Sequence, residues 1–173
     1  MKKEPISAYR RQTLDPVSAR TLRQEIEEFN HEYCAVLDAN LVEDWPRFFT
    51  PDCIYRITAR ENAELGLRVG LVYAEGRGML QDRAVAISRT QMFAPRYMLH
   101  LTSNTRVLAE SEGNISAETN FMLLQTLVEG ATSIHMAGKF HDVFVREGGG
   151  LLLKVRQVIY DTTLIANDLV YPV

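Results

Sequence analysis

The sequence predicts an α+β fold in which N-terminal helices pack on one long, strongly curved antiparallel sheet. Two observations lead to this fold class. Apolar residues recur at helical spacing in the first quarter of the chain, whereas the last third consists of four long extended runs separated by short turn sequences. Strands of a dozen or more residues are about twice the usual length, so the sheet must twist into a cone-shaped half-barrel whose concave face the helices cover.

Length and composition favour one cytoplasmic domain. The chain has 173 residues, and we expect residues 1–16, which are polar and lack periodicity, to form an arm before a single domain over residues 17–173. With 22 acidic side chains and 19 lysines and arginines, the net charge is −3. This charge gives no indication of a surface that binds nucleic acid or an anionic membrane. No secretory signal or membrane-spanning run is apparent, and two cysteines, Cys34 and Cys53, fit a reducing compartment.

The first predicted element is a long amphipathic helix over residues 18–40, entered after Pro16. One apolar stripe runs along it, made of Leu22, Ile26, Phe29, Tyr33, Val36 and Leu37. A short helical turn over Glu43–Phe49 should follow, because Pro46 suits the first turn of a helix. Trp45 within this turn is expected to cover one end of the core.

The middle of the chain predicts a strand, an ambiguous segment and a second helix. Cys53–Arg60 has the alternation of a strand, and residues 61–78, with four glycines, suggest a loop or hairpin. Met79–Met92 is helical in character, and Pro95 ends it. The four runs of the sheet then cover residues 98–109, 115–128, 132–146 and 151–165, with glycine-containing hairpin turns between them.

Polar side chains on the predicted strands are the candidates for a site inside the cone. His100, Asn104 and Arg106 are predicted to share one face of the first meander strand, and Asp142 lies on an apolar face of its own strand. A pocket that excludes water would shift the pKa of a histidine or aspartate towards the range in which the side chain can act as a general acid or base. These groups could equally form hydrogen bonds at a subunit contact or a strand end. The pattern alone leaves both interpretations open.

The motifs for metals and nucleotides are incomplete. A Rieske cluster needs two Cys-x-His pairs, but Ala-Val follows Cys34 and Ile-Tyr follows Cys53. His31 and Cys34 lie one helical turn apart, yet His31 points away from the apolar stripe, which favours a solvated side chain over a zinc ligand. Gly76-Arg77-Gly78 begins a dinucleotide pattern, but Gln81 stands where its third glycine belongs.

Both faces of the predicted meander carry apolar residues. In the second strand, Met122, Leu124 and Val128 occupy one face, whereas Phe121, Leu123 and Leu127 occupy the other. A sheet that is apolar on both sides is typically covered on both sides. We therefore expect the face away from the helices to contact another subunit.

Several stretches, spread from about Val17 to Val173, together resemble the small, β subunit of the terminal oxygenase of aromatic ring-hydroxylating dioxygenases. The matching stretches are Tyr33–Asp38, Trp45, Asp52–Tyr55, Asp82-Arg83, Arg96–Asn104, Gly138–Asp142 and the pair Asp161 and Asn167. Each stretch alone is short, but their order and spacing are fairly specific. Within them, Arg96, His100 and Asn104 match a polar series of the family.

The resemblance implies a cystatin-like or NTF2-like cone, similar to nuclear transport factor 2. It also implies three β subunits joined to three larger α subunits in a hexamer. The α subunit would hold a Rieske 2Fe–2S cluster and a mononuclear iron, and a reductase would supply electrons from NAD(P)H. This chain would then be a mainly structural subunit without cofactor or metal. Arg96, His100 and Asn104 would be subunit-contact candidates.

The alternative hypothesis is a free-standing dehydratase or isomerase of the same cone fold. His100 would then be the general base, with Tyr55 or Asp142 assisting. A third possibility is a module that binds a small ligand in the cone without chemistry. Fold alone does not separate these classes, because one scaffold hosts many functions.

Overall fold

The structure, a computed structural model, describes residues 6, 8–67, 69–90, 93–165 and 169–173. The elements, in chain order, are α1 (Pro16–Asp38), a 3₁₀ helix (Val42–Phe48), β1 (Phe49–Ala59), α2 (Arg60–Glu64), β2 (Val72–Glu75), α3 (Arg77–Arg89), β3 (Arg96–Ser111), β4 (Asn114–Leu127), β5 (Thr132–Glu147) and β6 (Gly150–Tyr160). In the described part of the chain, no helix has the length and apolar character needed to cross a membrane.

The six strands form one curved, unclosed sheet in the order β2-β1-β6-β5-β4-β3. Strands β3 to β6 are an antiparallel meander, as predicted, and β2 is antiparallel to β1. The contact between β1 and β6 is parallel, which the hairpin pattern did not indicate. This parallel contact places the first long strand beside the last one, and it brings the helical half of the chain onto one face of the meander. The predicted α+β fold class is confirmed.

Helix α1 follows its predicted stripe closely. Asp15 caps its N-terminus by accepting hydrogen bonds from the backbone N–H groups of Val17 (2.9 Å) and Ser18 (3.1 Å). The side chains of the stripe are buried, with Phe29 partly buried, and they join the apolar core that the helices form with one face of the sheet. The helix ends at Asp38, two residues before the predicted end.

The element boundaries differ most where the sequence was ambiguous. Residues 61–78 were predicted to be a loop or hairpin, and strand β2 within them is antiparallel to β1 at the edge of the sheet. The prediction did not include helix α2, which lies in the connection between these two strands, or the start of α3 at Arg77. Strand β1 begins at Phe49, four residues before the predicted start. Strand β6 ends at Tyr160, not at residue 165. Helix α3 ends at Arg89, and the last two positions of the predicted helix, 91 and 92, lie outside the described residues.

A β-bulge interrupts β3 in its middle. Ser103 pairs with Asn120 and Arg106 pairs with Glu118, so β3 carries one extra residue at this point. Asn104 lies in this bulge and has a φ of 54°, in the left-handed region that asparagine tolerates better than most residues. The bulge therefore changes which side chains point into the cone.

The alternation of buried residues shifts across this bulge. Before the bulge, His100 points inward and is buried. After it, Thr105 and Val107 are buried, and so is Leu108, which lies at a second register shift of β3. Asn104 is exposed. The prediction that His100, Asn104 and Arg106 share one face of the strand is therefore wrong, because the extra residue reverses the alternation.

Candidate functional site

A fully buried ion pair occupies the centre of the cone. Arg156 on β6 donates two hydrogen bonds to Asp142 on β5, at 3.0 and 2.8 Å, and a third to Oδ1 of Asn30 on α1 at 2.6 Å. The guanidinium also lies over the rings of Tyr33 and Phe140, 4.2 and 4.3 Å from their centroids. Both charged side chains have no exposed surface. Asp142 is therefore engaged by a cation and is not a free carboxylate facing a pocket.

The charges of this pair are set by burial and by each other. Burial raises the pKa of Asp142, and the adjacent guanidinium acts in the opposite direction. Burial is the largest influence on Arg156 and lowers its pKa, but the carboxylate of Asp142 and the hydroxyl of Tyr33 together outweigh burial and hold the Arg156 pKa above its ordinary value. An arginine held in this state donates hydrogen bonds and does not exchange protons. The pair therefore fixes the geometry of the core and supplies no acid–base group.

Tyr55 is also occupied within the chain. Its hydroxyl donates to the backbone oxygen of Val173 at 3.1 Å and accepts from the N–H of the same residue at 2.9 Å. The hydroxyl of Tyr33 donates to the same backbone oxygen at 3.0 Å, and Nε1 of Trp45 donates to the Tyr33 hydroxyl at 2.8 Å. These rings, with their neighbours, fill the end of the cone that Trp45 was predicted to cover.

His100 is bound to the end of helix α1. Its backbone N–H donates to both carboxylate oxygens of Asp38 at 3.1 Å, and its Nδ1 lies 2.6 Å from Asp38 Oδ1. The side chain is 1% exposed, and its Nε2 has no hydrogen-bond partner among the described residues. This arrangement has the form of an Asp–His pair that could orient a base. It also joins the last residue of α1 to the start of the meander.

The three residues of the catalytic alternative do not converge. Tyr55 and Asp142 lie in one row across β1, β6 and β5. His100 lies opposite Leu123 on β4, whereas Asp142 lies opposite Ala117, so six residues of β4 separate the two positions. At about 3.4 Å per residue, this is roughly 20 Å along the strand. Each of the three side chains binds a different partner within the chain.

The subunit-contact candidates are spread along β3. Arg96, at the start of the strand, is partly buried, with its guanidinium 5.5 Å from the ring centroid of Phe93. His100 points into the cone, and Asn104 lies exposed on the bulge. Their contact with a partner subunit stays a prediction. The exposed position of Asn104 and the half-exposed position of Arg96 are compatible with it.

The outer face of the sheet carries an uncovered apolar patch. We define the outer patch as Tyr97, Leu99, Leu101, Met122, Leu124 and Ile134. Cross-strand pairs connect it, since Leu99 lies opposite Leu124, Leu101 lies opposite Met122, and Leu124 also pairs with Ile134. Tyr97 is 72% exposed, Ile134 61% and Leu99 50%. The patch confirms that apolar side chains lie on the face opposite the core.

Next to the outer patch, the N-terminal arm covers a buried carboxylate. Glu118 on β4 lies on the outer face, 3.1 Å from Arg106, 3.6 Å from Arg10 and 3.6 Å from Nδ1 of His141. Arg106 also donates to the carbonyl oxygen of Arg10 at 2.8 Å, and Thr13 donates to a carbonyl of β3. Part of the predicted arm is thus attached to the sheet, and the described residues of the arm leave the outer patch uncovered.

Three residues of these networks were not singled out in the sequence: Asp38, Glu118 and Arg156. Lys154 and Arg156 lie two residues apart, so a regular strand would point both side chains to the same face. A register shift near Val155 changes this, and only Arg156 faces the core. Asp142 was the one sign in the sequence of a buried ion pair, because an aspartate on an apolar face requires a buried hydrogen-bond donor. The identity of that donor depended on strand register, which the sequence does not specify.

The described residues contain no group of three or more histidine, cysteine, aspartate or glutamate side chains placed to hold a metal ion. His31 is exposed and Cys34 is buried, so the two side chains lie on different sides of α1. An open cleft of about 450 Å³ is present at the ends of β1 and β6, where Arg60 forms an ion pair with Asp161 at 2.6 Å. Its lining does not include the predicted site residues.

The fold and the filled cone match a known domain class. The model of the SnoaL-like domain family matches residues 18–157, and the chain belongs to this family of NTF2-like cones. Within it, the relatives are more specific. The chain is 37% identical over 149 residues to the anthranilate 1,2-dioxygenase small subunit of Burkholderia cepacia, which covers 86% of this chain and 92% of the relative.

Two further comparisons agree with this relative. The chain is 31% identical to a β subunit of the terephthalate 1,2-dioxygenase terminal oxygenase component from Comamonas sp., covering 86% of this chain and 96% of the relative. A crystal structure assigned as the β subunit of an aromatic-ring-hydroxylating dioxygenase from Novosphingobium aromaticivorans has a TM-score of 0.80 and 36% identity, covering 88% and 96% of the two chains. The chain belongs to the small, β subunits of aromatic-ring dioxygenases.

Proposed function

We propose that this chain supports the large, iron-bearing subunit of a cytoplasmic aromatic ring-hydroxylating dioxygenase and performs no chemistry itself. The observation that carries the proposal is the contrast between the two faces of the sheet. Inside the cone, the polar groups Asp142, Tyr55 and His100 are each bound within the chain. Outside, the outer patch lacks cover in the described part of the chain. A filled interior and an apolar exterior suit a subunit that acts by association.

The residues of this chain do not fit the cofactors of such a system. A Rieske 2Fe–2S cluster takes two cysteines and two histidines, but the only cysteines, Cys34 and Cys53, are both buried and neither begins a Cys-x-His pair. The cluster, the mononuclear iron and the electrons from NAD(P)H through a reductase therefore belong to the partner proteins. The relatives are named as small or β subunits, which supports a larger partner.

The outer patch is the surface that we assign to assembly. It spans three neighbouring strands and is flanked on one side by the attached arm, so a second copy can approach it without displacing any segment that the structure describes. We propose that copies associate through it into a trimer, and that the trimer joins three large subunits as an α3β3 hexamer. Closed three-fold symmetry would bury the patch of every copy in the same way.

Leu99→Glu tests this assembly. The substitution places a charge at the centre of the outer patch, where it faces solvent in the free chain but would be desolvated in the trimer. We expect sedimentation velocity to show at least a tenfold weaker self-association and a lower yield of large subunit in co-purification. The matched control is Leu164→Glu, since Leu164 is 89% exposed and lies outside the patch.

The control should sediment like the unmodified chain. Trimers of undiminished stability in Leu99→Glu would contradict the assignment of the outer patch. A chain that remains monomeric at micromolar concentration and does not co-purify with any large subunit would contradict the proposed function as a whole.

A further inference from the structure

A second exposed apolar surface lies at the β2 edge of the sheet, at the opposite edge from β3. We define the edge strip as Leu65, Leu67, Val69, Leu71 and Tyr73. Every second residue from 65 to 73 is therefore apolar, and these side chains are between 44% and 74% exposed. Apolar side chains grouped in this way at a surface are typical of an interaction site, because their burial is favourable.

The backbone of the edge strip is held against strand β1. The carbonyl oxygen of Val69 accepts a hydrogen bond from the Thr58 hydroxyl at 2.8 Å, and the Leu71 N–H donates to the carbonyl oxygen of Ile57 at 2.8 Å. A Cβ atom on Gly70 would collide with this same carbonyl oxygen, so the two segments are in close contact. The chain thus binds the backbone of the strip and leaves its apolar side chains in solvent. A surface ordered in this way loses little conformational entropy when a partner covers it.

The proposed trimer needs two different surfaces on each copy. A patch that contacts the same patch of another copy forms a two-fold dimer, whereas each contact in a closed ring of three joins two non-identical surfaces. The outer patch lies on β3, β4 and β5, and the edge strip lies on the far side of the sheet, beyond β6 and β1. Two apolar surfaces on opposite sides of the sheet are the arrangement that such a ring requires.

The charges beside the two surfaces have opposite signs. On the arm side of the outer patch, two arginines, Arg10 and Arg106, flank one buried carboxylate, which leaves a positive charge there. Beside the edge strip, Glu64 and Glu75 are exposed, whereas Arg56 is partly buried, so these groups give a negative charge. Opposite charges at the rim of an apolar contact favour its formation, and the like charges of two outer patches would disfavour their contact with each other.

We propose that the edge strip of one copy covers the outer patch of the next copy, so that three head-to-tail contacts close the trimer. Each contact buries apolar side chains from both copies and places the acidic rim of the strip near the arginines beside the patch. This inference rests on the proposed function, because it names the surface that the outer patch contacts. It makes the β2 edge, which contains none of the subunit-contact candidates on β3, necessary for assembly.

Val69→Glu tests the contact from the side of the edge strip. The Val69 side chain is 66% exposed, so the free chain should fold normally, which far-UV circular dichroism checks. We expect sedimentation velocity to show at least a tenfold weaker self-association, because the contact would desolvate the glutamate. Leu41→Glu is the matched control, since Leu41 is 52% exposed and lies between α1 and the 3₁₀ helix, away from both surfaces. It should self-associate like the unmodified chain.

A mixture of two variants distinguishes head-to-tail contacts from contacts between two outer patches. Leu99→Glu keeps its edge strip and Val69→Glu keeps its outer patch, so one copy of each can still form one intact contact. We expect a one-to-one heterodimer that is at least tenfold tighter than the self-association of either variant. Contacts between two outer patches would instead leave Val69→Glu fully associated and would give no heterodimer, which would overturn the inference.

Cross-linking is a second measurement that uses smaller substitutions. In a mixture of Val69→Cys and Leu99→Cys chains, a bismaleimide should join position 69 of one copy to position 99 of another, because Cys34 and Cys53 are buried and react slowly. Cross-links formed only between two Leu99→Cys copies would overturn the inference. So would Val69→Glu chains that form normal trimers, whether or not they still co-purify with the large subunit. Both outcomes would leave the proposed function in place.

Discussion

Arg156 is a fully buried charged residue whose position is tightly constrained by its neighbours. An unpaired buried guanidinium would be strongly destabilising, and this one is tolerated because Asp142, Asn30 and two aromatic rings surround it. Such a pair adds little net stability compared with apolar residues of similar size. Removal of only one partner is nevertheless strongly destabilising, because the other charge stays buried without a counterion. The pair therefore enforces the register of β5 against β6, because a shift of one residue would separate its members.

Substitution of one member of this pair should be severe. We expect Asp142→Leu to lower the free energy of unfolding by about 3–5 kcal/mol, because it leaves the Arg156 charge buried without a counterion. The double variant Asp142→Leu, Arg156→Met should recover most of this loss. Urea denaturation with an unchanged m-value measures both effects. A single variant that loses less than about 1 kcal/mol would show that the charge finds another partner.

His141 gives the stability a specific dependence on pH. It is buried on the outer face beside Glu118, and Arg10, Lys139 and Arg60 are the cations that act on it. Burial, followed by these three cations, lowers its pKa from 6.5 to about 4. Between those values the unfolded chain binds a proton that the folded chain does not bind. Stability is therefore fully present above pH 6.5 and is lost as the pH falls towards 4.

The size of this effect follows from the shift. A change from 6.5 to about 4 corresponds to roughly 3 kcal/mol at most. We expect the unfolding free energy of the unmodified chain to fall by about 1–3 kcal/mol more than that of His141→Gln between pH 6.5 and 4. The comparison of the two chains isolates the contribution of His141, because carboxylates also titrate between pH 6.5 and 4 and affect both chains alike. Parallel curves for the two proteins would mean that Glu118 stabilises a protonated His141.

Among the elements, helix α1 and the meander could be predicted, whereas the register of β3 could not. The apolar residues from Leu22 to Leu37 recur at a spacing that places them on one face only in an α-helix. Glycine-containing turns mark the ends of the hairpin strands. The bulge at Asn104 depends on pairing with β4, which is a long-range property. The binding of His100 by Asp38 likewise joins residues 62 positions apart. The sequence therefore supplied the candidate residues but not their partners.

A close approach between β5 and β6 explains a glycine in the middle of a strand. A Cβ atom on Gly138 would lie 2.1 Å from the carbonyl oxygen of Ile159 and 2.7 Å from Cα of Tyr160. Both atoms belong to the backbone, so no side chain can move aside. The absence of a side chain here lets Ala137 accept a hydrogen bond from the Asp161 N–H at 2.8 Å, just past the end of β6.

Gly138→Ala should therefore destabilise the protein by several kcal/mol, about 2–4, because the strands must separate locally. Gly78→Ala is the matched control. A Cβ on Gly78, in the first turn of α3, meets nothing within 4 Å, so this change should stabilise by about 0.5–1 kcal/mol. Thermal unfolding should show a lower Tm for Gly138→Ala and a higher Tm for Gly78→Ala than for the unmodified chain. Equal effects would mean that β6 shifts freely against β5.

At the scale of the whole molecule, the interior and the exterior of the cone have different tasks. The interior holds its polar groups in pairs, from Asp142 with Arg156 to His100 with Asp38. The exterior presents the outer patch beside an arm whose Arg10 contacts Glu118. A sheet with paired polar groups on its inner face and exposed apolar side chains on its outer face suits the association that we propose for this chain.

His100→Ala separates a structural role from a catalytic one in the assembled enzyme. We expect the substitution to remove the imidazole contact of the Asp38 carboxylate, while the backbone N–H contact is kept, and to lower the free energy of unfolding or association by about 1–3 kcal/mol. Turnover per assembled complex should stay within about twofold, because we propose that the chemistry takes place in the large subunit. His31→Ala, at an exposed position of α1, is the control for handling and yield. A variant with normal stability and normal complex yield, but with turnover reduced by roughly 10²–10⁴-fold, would instead make His100 a general base and restore the catalytic hypothesis.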